Sequence, residues 1–120
     1  MPTDRPTATE LLSAVRTHLL DNVAPLLEGQ PAFHLRVATN ALGIIERTME
    51  QGDAMDQAEL GRLRVLIGED GDLIDLNRRL SERIQAGALG DQKEAVLDHL
   101  RRTALDKVRL ANPRYLTPRD

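Results

Sequence analysis

Apolar residues recur at the 3.6-residue helical period along most of this chain, and the pattern is densest between Phe33 and Glu50. On a helical wheel Phe33, Leu35, Val37, Ile44, Ile45 and Met49, with Ala38, Ala41 and Leu42 between them, cover more than half the circumference. A surface helix normally carries a narrower stripe, so this breadth predicts a central helix packed on two sides. Two polar residues interrupt it: His34 falls within the apolar arc, and Asn40 sits at its border beside Arg36 and Arg47. Gly43 disfavours a helix interior by about 1 kcal/mol relative to Ala, which implies the close approach of a neighbouring helix or side chain. Pro31 is placed to open this helix, and Gly52 to end it.

The remaining periodic runs predict four further helices. After a lead-in over residues 1–6, Thr7 and Glu10 have capping-box spacing ahead of Leu11, Leu12, Val15, Leu19 and Val23, and Pro25 bends or stops that first helix. QGDAMD reads as a loop, with Asp56 and Glu59 capping a third helix through Leu60, Leu63, Leu66 and Ile67 that closes at Gly68. Asp72 can cap a fourth, whose Leu73, Leu76, Leu80 and Ile84 form a narrow stripe with Asn77 projecting from within it. Asp91 and Glu94 give a third capping box for a last helix from Val96 to Ala111, ended by Pro113, with an irregular tail over 113–120. The expectation is an all-α, single-domain bundle over residues 1–120, of about five mostly antiparallel helices joined by short loops.

Composition narrows the function more than it names it. Apolar residues make up 41% of the chain, with one Phe, one Tyr and no Trp, so the predicted core is aliphatic. No cysteine is present, which excludes disulfides, thiolate metal sites and a Cys nucleophile, and fits a reducing cytoplasm. The formal net charge of −3, with acids and bases interspersed, lacks the basic excess or stacking aromatics of a nucleic-acid binder. The polar start MPTDRPTATE is not a signal peptide, and no apolar run approaches membrane-spanning length.

The candidate chemistry rests on polar residues in apolar settings. His34 is read either as a ligand or general base or as a neutral core histidine bonded to a facing polar group. Asn77 and Asn40 are its natural partners. His34, Arg36, Asn40 and Asn77 are therefore the candidate buried polar cluster, fixing helix register, or alternatively the lining of a small polar ligand pocket between helices. His18, His34 and His99 fall on separate helices without a metal-ligand spacing, so no metal or cofactor is expected. Glu46-Arg47, Arg78-Arg79 and Arg101-Arg102 read as solvated faces or intrahelical ion pairs, for instance Asp98 with Arg101 or Arg102. No phosphate loop, nucleophile elbow or pair of catalytic carboxylates is present, so no catalytic residue is assigned and an enzyme is not expected. The Leu73, Leu76, Leu80, Ile84 stripe reads as intramolecular core in preference to a dimer seam, and is where a homo-oligomer seam would be sought.

RPTATELLSAV, FHLRVATNALGIIERTME, DLIDLNRRL and NPRY together resemble a bacterial family, domain of unknown function 6285. The resemblance spans nearly the whole chain and rests chiefly on Phe33, His34, Arg36, Val37, Asn40 and Ala41. It carries no catalytic residue with it. Members of that family are often encoded beside an aminoglycoside-phosphotransferase-like kinase and an acyl-CoA dehydrogenase. The resemblance thus implies a partner role in acyl-CoA or hydroxy-acid metabolism, and together with the absence of a reaction constellation it leads to the expectation of a non-catalytic accessory protein that binds one of those enzymes.

Overall fold

A computed structural model describes residues 4–116. Among them lie four α-helices and no strand: α1 (Ala8–His18), α2 (Gly29–Ile67), α3 (Leu73–Gln85) and α4 (Lys93–Ala111). The class is the all-α one that the periodicity predicts, with one helix fewer than expected. The predicted break at Gly52 does not occur; QGDAMD is helical, and Asp56 and Glu59 lie inside α2 instead of capping a new helix. Ala54, Met55, Gln57, Ala58 and Glu59 form helix readily and no proline interrupts them. One glycine's roughly 1 kcal/mol is small against the backbone groups that a break would leave unpaired.

The chain divides into two compact units, Met1–Gln51 and Gly52–Asp120, with α2 contributing to both. In the first, Thr7 caps α1 as its spacing predicts. The Thr7 hydroxyl accepts from the Glu10 amide at 3.1 Å and donates to the Glu10 carboxylate at 3.1 Å. Beyond His18 the chain widens into a π turn, Leu19–Val23, then tightens into a 3₁₀ turn, Ala24–Leu26, around Pro25. The wider turn lets the chain leave the α-helix before the proline that cannot continue it.

Arg16 of α1 meets Glu46 of α2 through two parallel hydrogen bonds, Nε to Oε1 at 3.2 Å and Nη2 to Oε2 at 2.8 Å. Glu46 is buried beside Thr39 and Gly43, whereas no large apolar side chain of this unit is buried among the described residues. The expectation of a helix packed on two sides is thereby corrected. One arc of α2 is covered, and the arc carrying Phe33, Val37, Ile44, Ile45 and Met49 is exposed. A Cβ on Gly43 would meet the guanidinium of Arg47 at 3.1 Å, so the close approach there is by a side chain of the same helix.

The second unit holds the hydrophobic core. Leu63, Leu66 and Ile67 of α2 pack with Leu76 and Leu80 of α3 and Val96 of α4, with Leu60, Leu73 and Leu89 around them. Gly68 ends α2 in the left-handed region, φ +77°, as its position after the last apolar residue predicts. Asp72 caps α3, its carboxylate accepting from the Asp75 amide at 2.8 Å. Asp91 and Glu94 do not form the predicted capping box. Asp91 lies in a 3₁₀ turn, Gly90–Gln92, and α4 starts without a side-chain cap. The Gln92 amide instead donates to the Leu66 carbonyl at 3.1 Å, satisfying one acceptor in the last turn of α2.

Leu63 is wholly buried. Truncating Leu63→Ala is expected to lower the unfolding free energy by about 2–5 kcal/mol in denaturant titrations. Gly61, helical and with nothing within 4 Å of an added Cβ, gives the opposite result on the same helix. Gly61→Ala is expected to raise stability by about 0.5–1 kcal/mol.

Candidate functional sites

The four residues that the sequence singles out are all exposed. His34 lies on α2 with its ring edge-on to Phe33, centroids 5.8 Å apart at 66°. Arg36 contributes its carbonyl to the Thr39 hydroxyl at 3.0 Å while its side chain is exposed. Asn40 is exposed on the same helix. On α3 the Asn77 amide donates to Glu59 of α2 at 3.1 Å, at the surface.

The expectation that these residues form a buried cluster is therefore corrected, for a geometric reason in each case. On α2 the covered arc runs through Thr39, Gly43 and Glu46, which leaves His34 on the far side and Asn40 off its edge. On α3, Leu76 and Leu80 turn inward, so Asn77, about 100° round the helix from Leu76, turns outward. Glu46, read as part of a solvated face, is instead the buried partner of Arg16. The sequence-predicted pair of Asp98 and Arg102 stands, at 2.9 Å, whereas Arg79 pairs with Glu69 and Asp75, partners that the sequence did not single out.

The buried polar cluster that does form is elsewhere in the second unit. His99 is 2% exposed. Its Nδ1 accepts from Arg62 Nε at 3.0 Å, and Arg62 Nη2 donates to the Thr103 hydroxyl at 3.1 Å. Accepting at Nδ1 places the ring proton of the neutral imidazole on Nε2. Burial pushes the His99 pKa down, and the charge of Arg62 adds to that, against smaller opposing effects from Glu59 and Asp98. The cluster borders an open groove of about 480 Å³, whose other walls include Ala58, Gly61, Val65 and Ala95.

This arrangement joins α2 to α4 with donor matched to acceptor. Among the described residues no group of three or more His, Cys, Asp or Glu side chains could hold a metal ion. The sequence signal for the cluster was the spacing Val96, His99, Thr103, which puts all three on one face of α4. The more apolar Leu97 and Leu100 mask it, and these two are 50% and 42% exposed, forming with Ala104 a second stripe that faces outward.

A lowered pKa makes His99 a source of acid sensitivity. The unfolded chain binds a proton at the ordinary imidazole value of 6.5 while the folded chain resists it. Its contribution is present above that pH and declines as pH falls below it toward the lower folded value. Replacing His99→Asn, which keeps an acceptor for Arg62, is expected to flatten the stability-against-pH curve just below pH 6.5 relative to the parent. Denaturant titrations across that interval check it.

No helix among the described residues is long and apolar enough to cross a membrane. No curated protein and no solved structure matches the chain. A family model does match it, over residues 25–115, which takes in α2, α3 and α4 with the Arg62–His99–Thr103 cluster. The chain thus belongs to the family described as Domain of unknown function (DUF6285).

Proposed function

We propose that this protein is a non-catalytic helical accessory protein that works by docking onto a partner protein in the cytoplasm. The observation that carries the reading is the double stripe of α4. One stripe, with Val96 and His99, is buried, whereas the adjacent one, Leu97, Leu100 and Ala104, is left to solvent. Contiguous exposed apolar surface rimmed by charge is characteristic of interaction sites, and Arg101 and Lys107 supply such a rim. The chemistry of His99 supports the same reading: its Nδ1 is committed to Arg62, and the polar groups beside it hold two helices together. The partner proposed is an enzyme of acyl-CoA metabolism, an acyl-CoA dehydrogenase, or a phosphotransferase-like kinase, the setting that the family resemblance implies. The alternative of a small-ligand pocket around His34, Asn40 and Asn77 loses support from the exposure of all three.

Mixing the purified protein with the acyl-CoA dehydrogenase and the phosphotransferase-like kinase of its own host tests the proposal. One of the two is expected to bind at micromolar concentration or tighter. Leu97→Glu combined with Leu100→Glu is expected to weaken that complex by about 10–100-fold while helical circular dichroism is kept. Calorimetry showing no association with either enzyme would sink the accessory role.

A further inference from the structure

Gly61 stands well inside α2 at a point where a side chain would fit, since no protein atom lies within 4 Å of an added Cβ. Packing within the chain does not require glycine there, although the helix is weaker by about 1 kcal/mol for having it. What the missing side chain leaves open is the groove of about 480 Å³ between α2 and α4, which Gly61 lines with Ala58, Val65 and Ala95. A groove of this volume can hold a small organic molecule.

The polar groups on the same walls define the occupant. His99 is 2% exposed, and its Nε2–H has no partner among the described residues. No buried side-chain nitrogen or oxygen of those residues lacks a partner, so Nε2 is where the ring reaches the surface, and the surface that His99 lines is the groove. Beside it Arg62 donates only to neutral acceptors, His99 Nδ1 and the Thr103 hydroxyl, and has no carboxylate partner among the described residues. Its guanidinium keeps a full positive charge and N–H groups to spare. The carboxylates whose charge reaches His99 are engaged elsewhere, Asp98 with Arg102 and Glu59 with Asn77. Arg62 and Ala58 also line a second hollow, of about 320 Å³, where Arg102 and Arg109 stand against Asp106. The apolar groove thus ends on an excess of positive charge.

A neutral imidazole N–H and an unpaired guanidinium beside apolar walls suit a carboxylate carried on an apolar body. A neutral apolar molecule would leave the guanidinium without a counter-charge, and an inorganic anion would leave the apolar walls to water. We infer that the α2–α4 groove binds an apolar monocarboxylate, with its carboxylate accepting from His99 Nε2 and paired with Arg62, and its apolar body lying along Ala58, Gly61, Val65 and Ala95. Gly61 keeps the space for that body. The site does not depend on the proposed enzyme partner, which would use the Leu97, Leu100 and Ala104 stripe.

Octanoate titrated into the full chain, followed by the imidazole nitrogen resonances of His18, His34 and His99, tests the inference. The His99 resonances are expected to move to saturation at one octanoate per chain, while those of His18 and His34 stay. For a ligand of about ten non-hydrogen atoms the dissociation constant is expected on the order of 1 mM or tighter. 1-Octanol, of the same length without the charge, is expected to bind about tenfold more weakly or worse. Gly61→Leu, and independently Ala95→Leu from the facing wall, fill the groove and are expected to weaken octanoate binding by about tenfold or more with helical circular dichroism kept.

The absence of saturable binding at millimolar octanoate would overturn the site. So would octanoate that moves His34 and not His99, or that binds both filled variants as well as the parent. 1-Octanol binding as tightly as octanoate would overturn the carboxylate. None of these results bears on the association with an enzyme through α4.

Discussion

The second unit depends on its aliphatic cluster, in which Leu63 and Leu76 are, among the described residues, the largest side chains entirely closed off from water. The chain has one Phe, one Tyr and no Trp, and both Phe33 and Tyr115 are exposed, so neither ring fills gaps in this cluster. Aliphatic side chains must fit each other by shape, and a few of them carry the closure of α2, α3 and α4. Two polar contacts of that unit follow from this cluster. The Gln92 amide reaches the last turn of α2 because Leu66 and Ile67 have been drawn inward, and His99 is buried because Val96, one turn before it, is part of the core. Losing shape at the centre would therefore loosen the hydrogen bonds at the edge.

The first unit is built on another principle. Its buried side chains are Thr39 and Glu46, with Gly43 between them, and its helices are joined by the paired hydrogen bonds of Arg16 and Glu46. The Glu46 hydrogen bond raises the pKa of Arg16 still further, so the guanidinium stays charged. A partly buried ion pair adds little net stability, because desolvation offsets most of its attraction. It does fix which faces meet: a slip of one turn would leave the Glu46 carboxylate without its donor. Orientation is specified here, while the driving force of apolar burial remains unused on the opposite arc.

Where elements begin and end was largely legible. Thr7, Asp72, Gly68 and Pro113 act where they stand, because caps, positive-φ glycines and prolines work through their own backbone atoms. The failures are equally local in origin. Gly52 and Asp56 have the chemistry of a break, yet the residues around them form helix well enough to override it. Asp91 has cap spacing, but the turn ahead of α4 takes 3₁₀ form and moves it out of place. The site was less legible, because a polar residue's depth depends on which arc of its helix another helix covers, and that is a tertiary fact. His34 and Asn77 sit among apolar neighbours in sequence and at the surface in space. His99, between two exposed leucines, is the one at depth.

The π turn at Leu19–Val23 has a consequence for how such a sequence can change length. A π turn is an α-helix with one residue too many, the surplus accommodated by widening the turn instead of rotating the residues after it. Losing one codon there would return the segment to ordinary α turns and leave Arg16 on its original face. The same loss within α4 would swing each later side chain by about 100° and carry Thr103 away from Arg62. The widened turn ahead of Pro25 is thus a natural point for insertion and deletion, a place where descent can alter the length of the chain by a single residue without disturbing the faces on either side.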